Sequence, residues 1–202
     1  MNVSAVINQS TKSPAKKLPH PFLSTLLQKA FSAEKAAAFA YQGHAASVKD
    51  GLQKIAIRQI EIDEWNHRAE VLTIMQQYNI PVSKWYEFRF GLIGKIISAS
   101  CHVIGWFMPF YFAGKLESGN VCEYFRMKQL FNSIGIAEHD VVLYEMGIKE
   151  KEHEEYFLGK IKNNKLLPFF EKYFSWGKEK SLNNIDLSKK NSVEESGGYC
   201  KK

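Results

Sequence analysis

Two glutamates are each followed three residues later by a histidine, in Glu64-Trp65-Asn66-His67 and Glu150-Lys151-Glu152-His153. On a helix, residues i and i+3 project to one side, so each motif presents a carboxylate and an imidazole to a common point. Oxygen and imidazole donors together suit iron or manganese better than a thiolate-seeking ion. Spacing alone is weak, because seventeen glutamates and six histidines in 202 residues yield about half of one such motif by chance.

Helical phase adds what spacing lacks. Glu64 and His67 fall on a stripe with Ile57, Ile60, Val71 and Ile74, and Glu150 and His153 on one with Leu143, Met146, Phe157 and Ile161. Glu34 lies among Leu23, Leu27, Ala30, Ala38, Tyr41 and Ala45, and Glu117 among Phe110, Ala113, Val121, Tyr124 and Phe131. Four ionised carboxylates converging in an apolar interior would prevent folding or shift upward in pKa unless cations sit between them. No lysine or arginine shares those stripes near the acids, and two divalent ions would neutralise the four charges. The six expected metal ligands are therefore Glu34, Glu64, His67, Glu117, Glu150 and His153, holding two Fe ions, with Mn as the alternative metal.

Other residues of the same types take ordinary explanations. Glu61, Glu70, Glu123, Glu152, Glu154 and Glu155 read as solvent-facing helix residues, and His20, His44, His102 and His139 as structural or surface. Tyr41, Tyr124 and Tyr156 fall near the proposed centre, where aromatic core filling is more common than redox work.

Helices must position these ligands. Apolar periodicity runs over residues 22 to about 48, broken by Lys49-Asp50-Gly51, and from about 52 to 78, broken by Asn79-Ile80-Pro81. A third helical region extends to about 132. Ser133-Ile134-Gly135 makes a turn, and a fourth helix covers about 137 to 162. A crossover over roughly 82 to 113 is too long for a hairpin and joins the second and third core helices. A short aromatic segment, 166 to 176, closes the domain. No strand alternation is visible, and the expected class is all-α: a ferritin-like four-helix bundle with a long apolar crossover and a short C-terminal helix. The domain is expected over 22 to 177, between a disordered basic arm (1 to 21) and a disordered tail (178 to 202).

The formal charge of +6 suggests nucleic acid until it is divided along the chain. Lys12, Lys16, Lys17 and Lys29 face no acid in the first thirty residues, and six lysines outnumber four acids from Lys178 onward, so the two ends carry all of the excess. That pattern reads as solvated arms with weak attraction to an anionic membrane, and no nucleic-acid partner is expected. Three cysteines without a C-x-x-C spacing indicate neither a disulfide framework nor a thiolate site, and a reducing compartment fits. The first residues have no apolar run before Lys12, which argues against a secretory signal. A cytoplasmic location, peripheral on the inner face of a membrane, is the expectation.

Residues 96 to 113 (IISASCHVIGWFMPFYFA) contain no Asp, Glu, Lys or Arg and approach the length of a membrane span. Gly105, Pro109 and His102 argue against a clean span. The favoured reading is a buried core with an exposed hydrophobic patch, ahead of interfacial contact with a membrane.

The stretches AEKAAAFAYQG around Glu34, EWNHR, the apolar crossover, LESGNVCEYF around Glu117 and EKEHEEYF together resemble the demethoxyubiquinone hydroxylase family, over about residues 22 to 176. The resemblance implies a ferritin-like fold and glutamates and histidines at the six positions above holding two irons. It further implies a diiron monooxygenase that uses O2 to hydroxylate the ring of a quinone-like lipid in ubiquinone biosynthesis, at a membrane surface. One departure stands out. The family typically has a His-Tyr pair about two turns after the third-helix glutamate; the tyrosine persists as Tyr124, to which the resemblance assigns a catalytic role, but Glu123 occupies the histidine position. No flavin or nicotinamide fingerprint accompanies the motifs, so electrons come from the substrate or from an unknown donor. A homo-oligomer is compatible with the sequence. The competing readings are a ferroxidase or iron-storage protein, a peroxide scavenger of rubrerythrin or manganese-catalase type, and a nonenzymatic membrane-associated scaffold.

Overall fold

The computed structural model describes residues 18–178, so the sequence expectations for the basic arm and the tail lie mostly outside the described residues. Six helices follow in order: α1 (Pro21–Ser47), α2 (Gly51–Gln77), α3 (Lys84–Ser100), α4 (Phe107–Ser133), α5 (Asp140–Ile161) and α6 (Leu167–Phe174). The class is all-α, a helical bundle, as the periodicity implies.

Local chemistry sets the helix ends. His20 Nδ1 accepts the Leu23 amide at 3.1 Å with Pro21 opening α1, Asp50 Oδ1 accepts the Gln53 amide at 2.7 Å, and Ser83 Oγ accepts the Tyr86 amide at 3.3 Å. Asn79 adopts a left-handed conformation (φ 52°) after α2, letting the Ile80 amide return to Met75 O at 2.9 Å.

The short link between α1 and α2 makes them an antiparallel pair, and α4 pairs with α5; contacts of α1 with α4 and of α2 with α5 join the pairs. The link from α2 to α4 is the expected long crossover, and most of it is helical. It forms α3, which packs along α1, and only residues 101–106 lie between α3 and α4. The third core helix therefore starts at Phe107, about two turns earlier than the end of the expected crossover at residue 113.

Glu87 ties α3 down. Its carboxylate accepts Arg68 Nη1 and Nη2 at 3.0 and 2.9 Å, Lys35 Nζ at 3.0 Å and Ser32 Oγ at 2.9 Å, linking three helices. Close backbone approach does the rest. A Cβ on Gly43 would fall 2.2 Å from Ser98 O, and one on Gly94 would fall 2.6 Å from Ala36 O.

The core divides into two apolar clusters. One contains Leu23, Leu27, Phe31, Val71, Met75, Tyr124, Phe131 and Leu143, and Leu18, ahead of the expected domain start, packs into it. The other contains Tyr41, Ala45, Ile57, Ile60, Phe110, Tyr111, Phe157, Ile161 and Trp176. Along each of α1, α2, α4 and α5 the chain passes from one cluster to the other, and the predicted ligands lie at the passage.

At the second cluster the C-terminal segment folds back. Tyr111 Oη donates to Phe170 O at 3.0 Å and Trp176 O at 2.6 Å, and Trp176 Nε1 donates to Glu154 Oε1 at 2.8 Å. This corrects the expectation that Glu154 faces solvent: it is buried under Trp176 and held by Lys151 Nζ at 2.9 Å. Glu61, also expected outside, is buried with Arg58 Nη1 at 2.5 Å. Glu70, Glu152 and Glu155 are exposed as expected. Cys101 is a buried free thiol.

Among the described residues no helix is long and apolar enough to cross a membrane. The uncharged stretch 96–113 is interrupted by the turn at residues 101–106, where Gly105 has φ 80°. An exposed apolar surface does exist on α3 and the turn after it, including Trp85 (64 % exposed), Phe88 (64 %), Ile96 (60 %) and Val103 (82 %).

Candidate metal centre

Helical spacing brings the six predicted ligands together. Glu34 from α1, Glu64 and His67 from α2, Glu117 from α4, and Glu150 and His153 from α5 are all buried. Two overlapping groups form: Glu34, Glu64, His67 and Glu150, and then Glu64, Glu117, Glu150 and His153, each with donor atoms within 4.8 Å of one another. Glu64 and Glu150 belong to both groups, so either group of ligands would draw on these two carboxylates. Glu34 with His67, and Glu117 with His153, complete the two ends.

The hydrogen-bond inventory tests whether metal fits. Among the described residues eleven buried side-chain oxygens and nitrogens lack a hydrogen-bond partner, and eight belong to these six residues: both oxygens of Glu64 and Glu150, one each of Glu34 and Glu117, and Nδ1 of His67 and His153. Native interiors leave few buried polar atoms unpaired, so such a concentration needs a reason. These atoms crowd without bonding. His67 Nδ1 lies 2.9 Å from Glu150 Oε1, and His153 Nδ1 lies 3.5 Å from Glu64 Oε1 and 3.7 Å from Glu150 Oε2. Lone pairs aimed at a common point, four carboxylates and two imidazoles in all, make a donor set that fits two divalent cations.

Titration behaviour agrees. Burial, reinforced by the charge of Glu150, pushes the Glu64 and Glu117 carboxyls well above the usual range. Burial raises Glu34 too, against the pull of neighbouring Glu64 and of the Tyr124 hydroxyl. Burial would raise Glu150 as well, but the close approach of Glu117, His153 and His67 outweighs it and holds this carboxyl below its ordinary value. The imidazoles also move upward. Burial disfavours their charge, yet Asp63 and Glu150 lift His153 to about 10, and Glu150 lifts His67. Without metal, protons are drawn to the places where cations would neutralise the carboxylates.

A surrounding layer orients the ligands. Asp63 Oδ2 accepts His153 Nε2–H at 3.1 Å, which leaves Nδ1 facing the centre. Asn120 Nδ2 donates to Glu117 Oε2 at 3.1 Å. Tyr124, the tyrosine assigned a catalytic role, is buried and its hydroxyl donates to Glu34 Oε1, while its ring meets His67 edge-on at 5.8 Å between centroids. Glu123 on the same helix is half-buried.

Sequence reasoning missed Asp63 and Asn120. Asp63 precedes Glu64 and is one-fifth exposed, so no apolar stripe includes it; the available signal was that a metal-facing histidine needs a carboxylate behind it. His20 proves to be a helix cap, and His44 and His139 are buried away from the ligand set. No protein-family model, curated protein or solved structure matches the chain.

Proposed function

We propose that the chain is a diiron monooxygenase of ferritin-like fold, resembling demethoxyubiquinone hydroxylase, that hydroxylates the ring of a quinone-like lipid at a membrane surface. The carrying observation is the convergence of eight orphaned ligand atoms in two groups sharing Glu64 and Glu150. Iron bound there would supply O2 activation: one oxygen atom enters a ring C–H bond and the other leaves as water, with two electrons and two protons from a separate donor.

The chain's own residues then have defined tasks. Glu34, Glu64, His67, Glu117, Glu150 and His153 hold the ions, and Asp63 fixes the tautomer of His153. Tyr124 holds its proton against Glu34, and burial with the nearby carboxylates pushes the phenol far above its ordinary range, so it serves as a hydrogen-bond donor rather than an anion. The two apolar clusters on either side exclude water. The apolar face of α3, with exposed Lys84, Arg89 and Lys95 beside it, supports a peripheral seat on an anionic lipid surface.

The decisive experiment is mass spectrometry of the quinone pool in a deletion strain, paired with metal analysis of the purified protein. Accumulation of a precursor lacking one ring oxygen, with two irons per chain, is expected. An unchanged quinone pool would overturn the substrate, and absence of metal would overturn the centre.

A further inference from the structure

One face of α2 is left uncovered by the described residues. Ile57, Ile60, Glu64, His67, Val71 and Ile74 are buried, whereas Leu52, Ile55 and Ile62 turn outward and each is more than half exposed. Single exposed apolar residues are ordinary, but these three share one phase. Leu52, Ile55, Gln59, Ile62, Asn66 and Ala69 are all exposed and recur at alternating steps of three and four, the spacing of a seam between two packed helices. The seam lies on the side of α2 away from Glu64.

Its composition selects the occupant. The exposed residues of α3 are apolar and basic, which suits lipid, but on α2 the amides of Gln59 and Asn66 interrupt the seam and Asp63 and Glu70 flank it. Acyl chains cannot hydrogen-bond an amide, and an anionic surface repels carboxylates. A second copy of the same helix answers both features. A side-chain amide carries a donor and an acceptor, so it pairs with its own counterpart across a two-fold axis.

Charge fixes the direction of that pairing. Lys54 and Arg58 lie on one flank of the seam, and Asp63 and Glu70 on the other. In a parallel pair each flank meets the opposite flank of its neighbour, so Arg58 faces Asp63 of the second copy, as ion pairs do beside a parallel helical seam. Gln59 then meets Gln59 and Asn66 meets Asn66, with Ile55 and Ile62 on their counterparts in the layers between. An antiparallel pair does the reverse: it brings acidic flank to acidic flank and sets amides against isoleucines. Arg58 is about half exposed and held by Glu61 through Nη1, so its guanidinium is oriented with donors to spare.

We propose that α2 forms a parallel two-fold interface with α2 of a second copy of this chain, centred on Ile55, Gln59, Ile62 and Asn66, with Arg58 of each copy against Asp63 of the other. Asp63 holds His153 through Oδ2, and its Oδ1 accepts Gln59 Nε2 at 3.0 Å, so the interface reaches the layer behind the metal ligands. The second copy thereby covers the exposed edge of Asp63 and supplies a cation to it. From Leu52 to Ala69 the seam is about 26 Å long, a modest contact, so the dimer dissociates on dilution. The interface forms whatever reaction the centre performs.

The test is sedimentation velocity of the full-length protein over the micromolar range, with helicity and metal content measured on the same samples. The wild type is expected to pass from one to two chains per particle as concentration rises. Arg58→Glu turns two attractive pairs into like-charge pairs and is expected to weaken the dimer about tenfold. Ile62→Lys places two ammonium groups at the centre and is expected to stay monomeric with unchanged helicity. Direction is read separately by mild oxidation of Ile55→Cys, which gives a covalent dimer beyond any wild-type background only if the two helices run parallel. That readout stands even if the lysine variant fails to fold. A wild type that stays monomeric leaves the seam to lipid or to a different protein and overturns the proposal. So does Arg58→Glu that dimerises as tightly as the wild type, or Ile55→Cys that yields no covalent dimer. Metal content keeps the hypotheses apart: a monomer with two metals loses only this inference, and a metal-free dimer loses only the diiron reading.

Discussion

Asp63 Oδ2 sits 3.1 Å from His153 Nε2, on the side of the imidazole away from the four converging carboxylates. The pair spans α2 and α5. It links those helices behind the carboxylate cluster and turns His153 Nδ1 toward the centre.

Asp63→Asn should therefore keep the fold and weaken metal binding by about tenfold to a hundredfold, the usual range for losing such a partner. Competition with a chromophoric chelator measures it. An affinity equal to that of the wild type would show that the contact does not orient the ligand.

Glu150→Ala and His153→Ala should each abolish loading of at least one ion, because Glu150 is common to both ligand groups and His153 closes one of them. Retention of two metals per chain in both variants, by elemental analysis, would sink the site assignment.

Removing a ligand should have the opposite effect on the metal-free protein. Glu117 is fully buried, its carboxyl driven far upward by burial and by Glu150, so its ionised form opposes folding. Glu117→Leu is expected to raise the thermal midpoint of the apoprotein while lowering metal content, since replacing buried charge by apolar volume is often stabilising by about 1–4 kcal/mol. A lower midpoint in the apo variant would contradict it.

His44 gives the stability a pH dependence of known sign. Unfolded, its imidazole takes up a proton below the ordinary 6.5; folded, burial delays this to about 4. Between those values the unfolded chain binds more protons, so stability falls as pH drops through the window, by about 3 kcal/mol in all. His44→Leu should flatten the profile there relative to the wild type. Denaturant midpoints at pH 7, 5.5 and 4.5 provide the check, and parallel profiles would refute it.

The apolar face of α3 is expected to bind lipid. Wild-type protein should sediment with vesicles containing anionic lipid, and a Trp85→Glu, Phe88→Glu variant should remain in the supernatant with its metal content intact. Equal sedimentation of the two would remove the membrane from the proposal.

The six ligands were legible because each sits in phase with a long apolar stripe, and a helix that buries the stripe must bury the ligand with it. The all-α class followed from the same periodicity. Asp63 and Asn120 were hidden because they flank the stripes. Glu61 and Glu154 were misread because their cover comes from Arg58 and from the returning Trp176, and the latter is a contact between segments that no local pattern encodes. The boundary between the crossover and the third core helix was placed late for a different reason: α3 buries only Gly91 and Gly94, so no buried stripe marks where it ends and α4 begins.

Dividing the apolar interior into two clusters has a consequence for motion. Helices usually fray from their ends, but here both ends of α1, α2, α4 and α5 are anchored in hydrophobic packing, and the middle turns carry the unpaired polar atoms. In the metal-free protein, amide hydrogens around residues 64–67 and 150–153 should exchange faster than those a turn or two to either side, so that the bundle loosens at its waist while its ends stay shut.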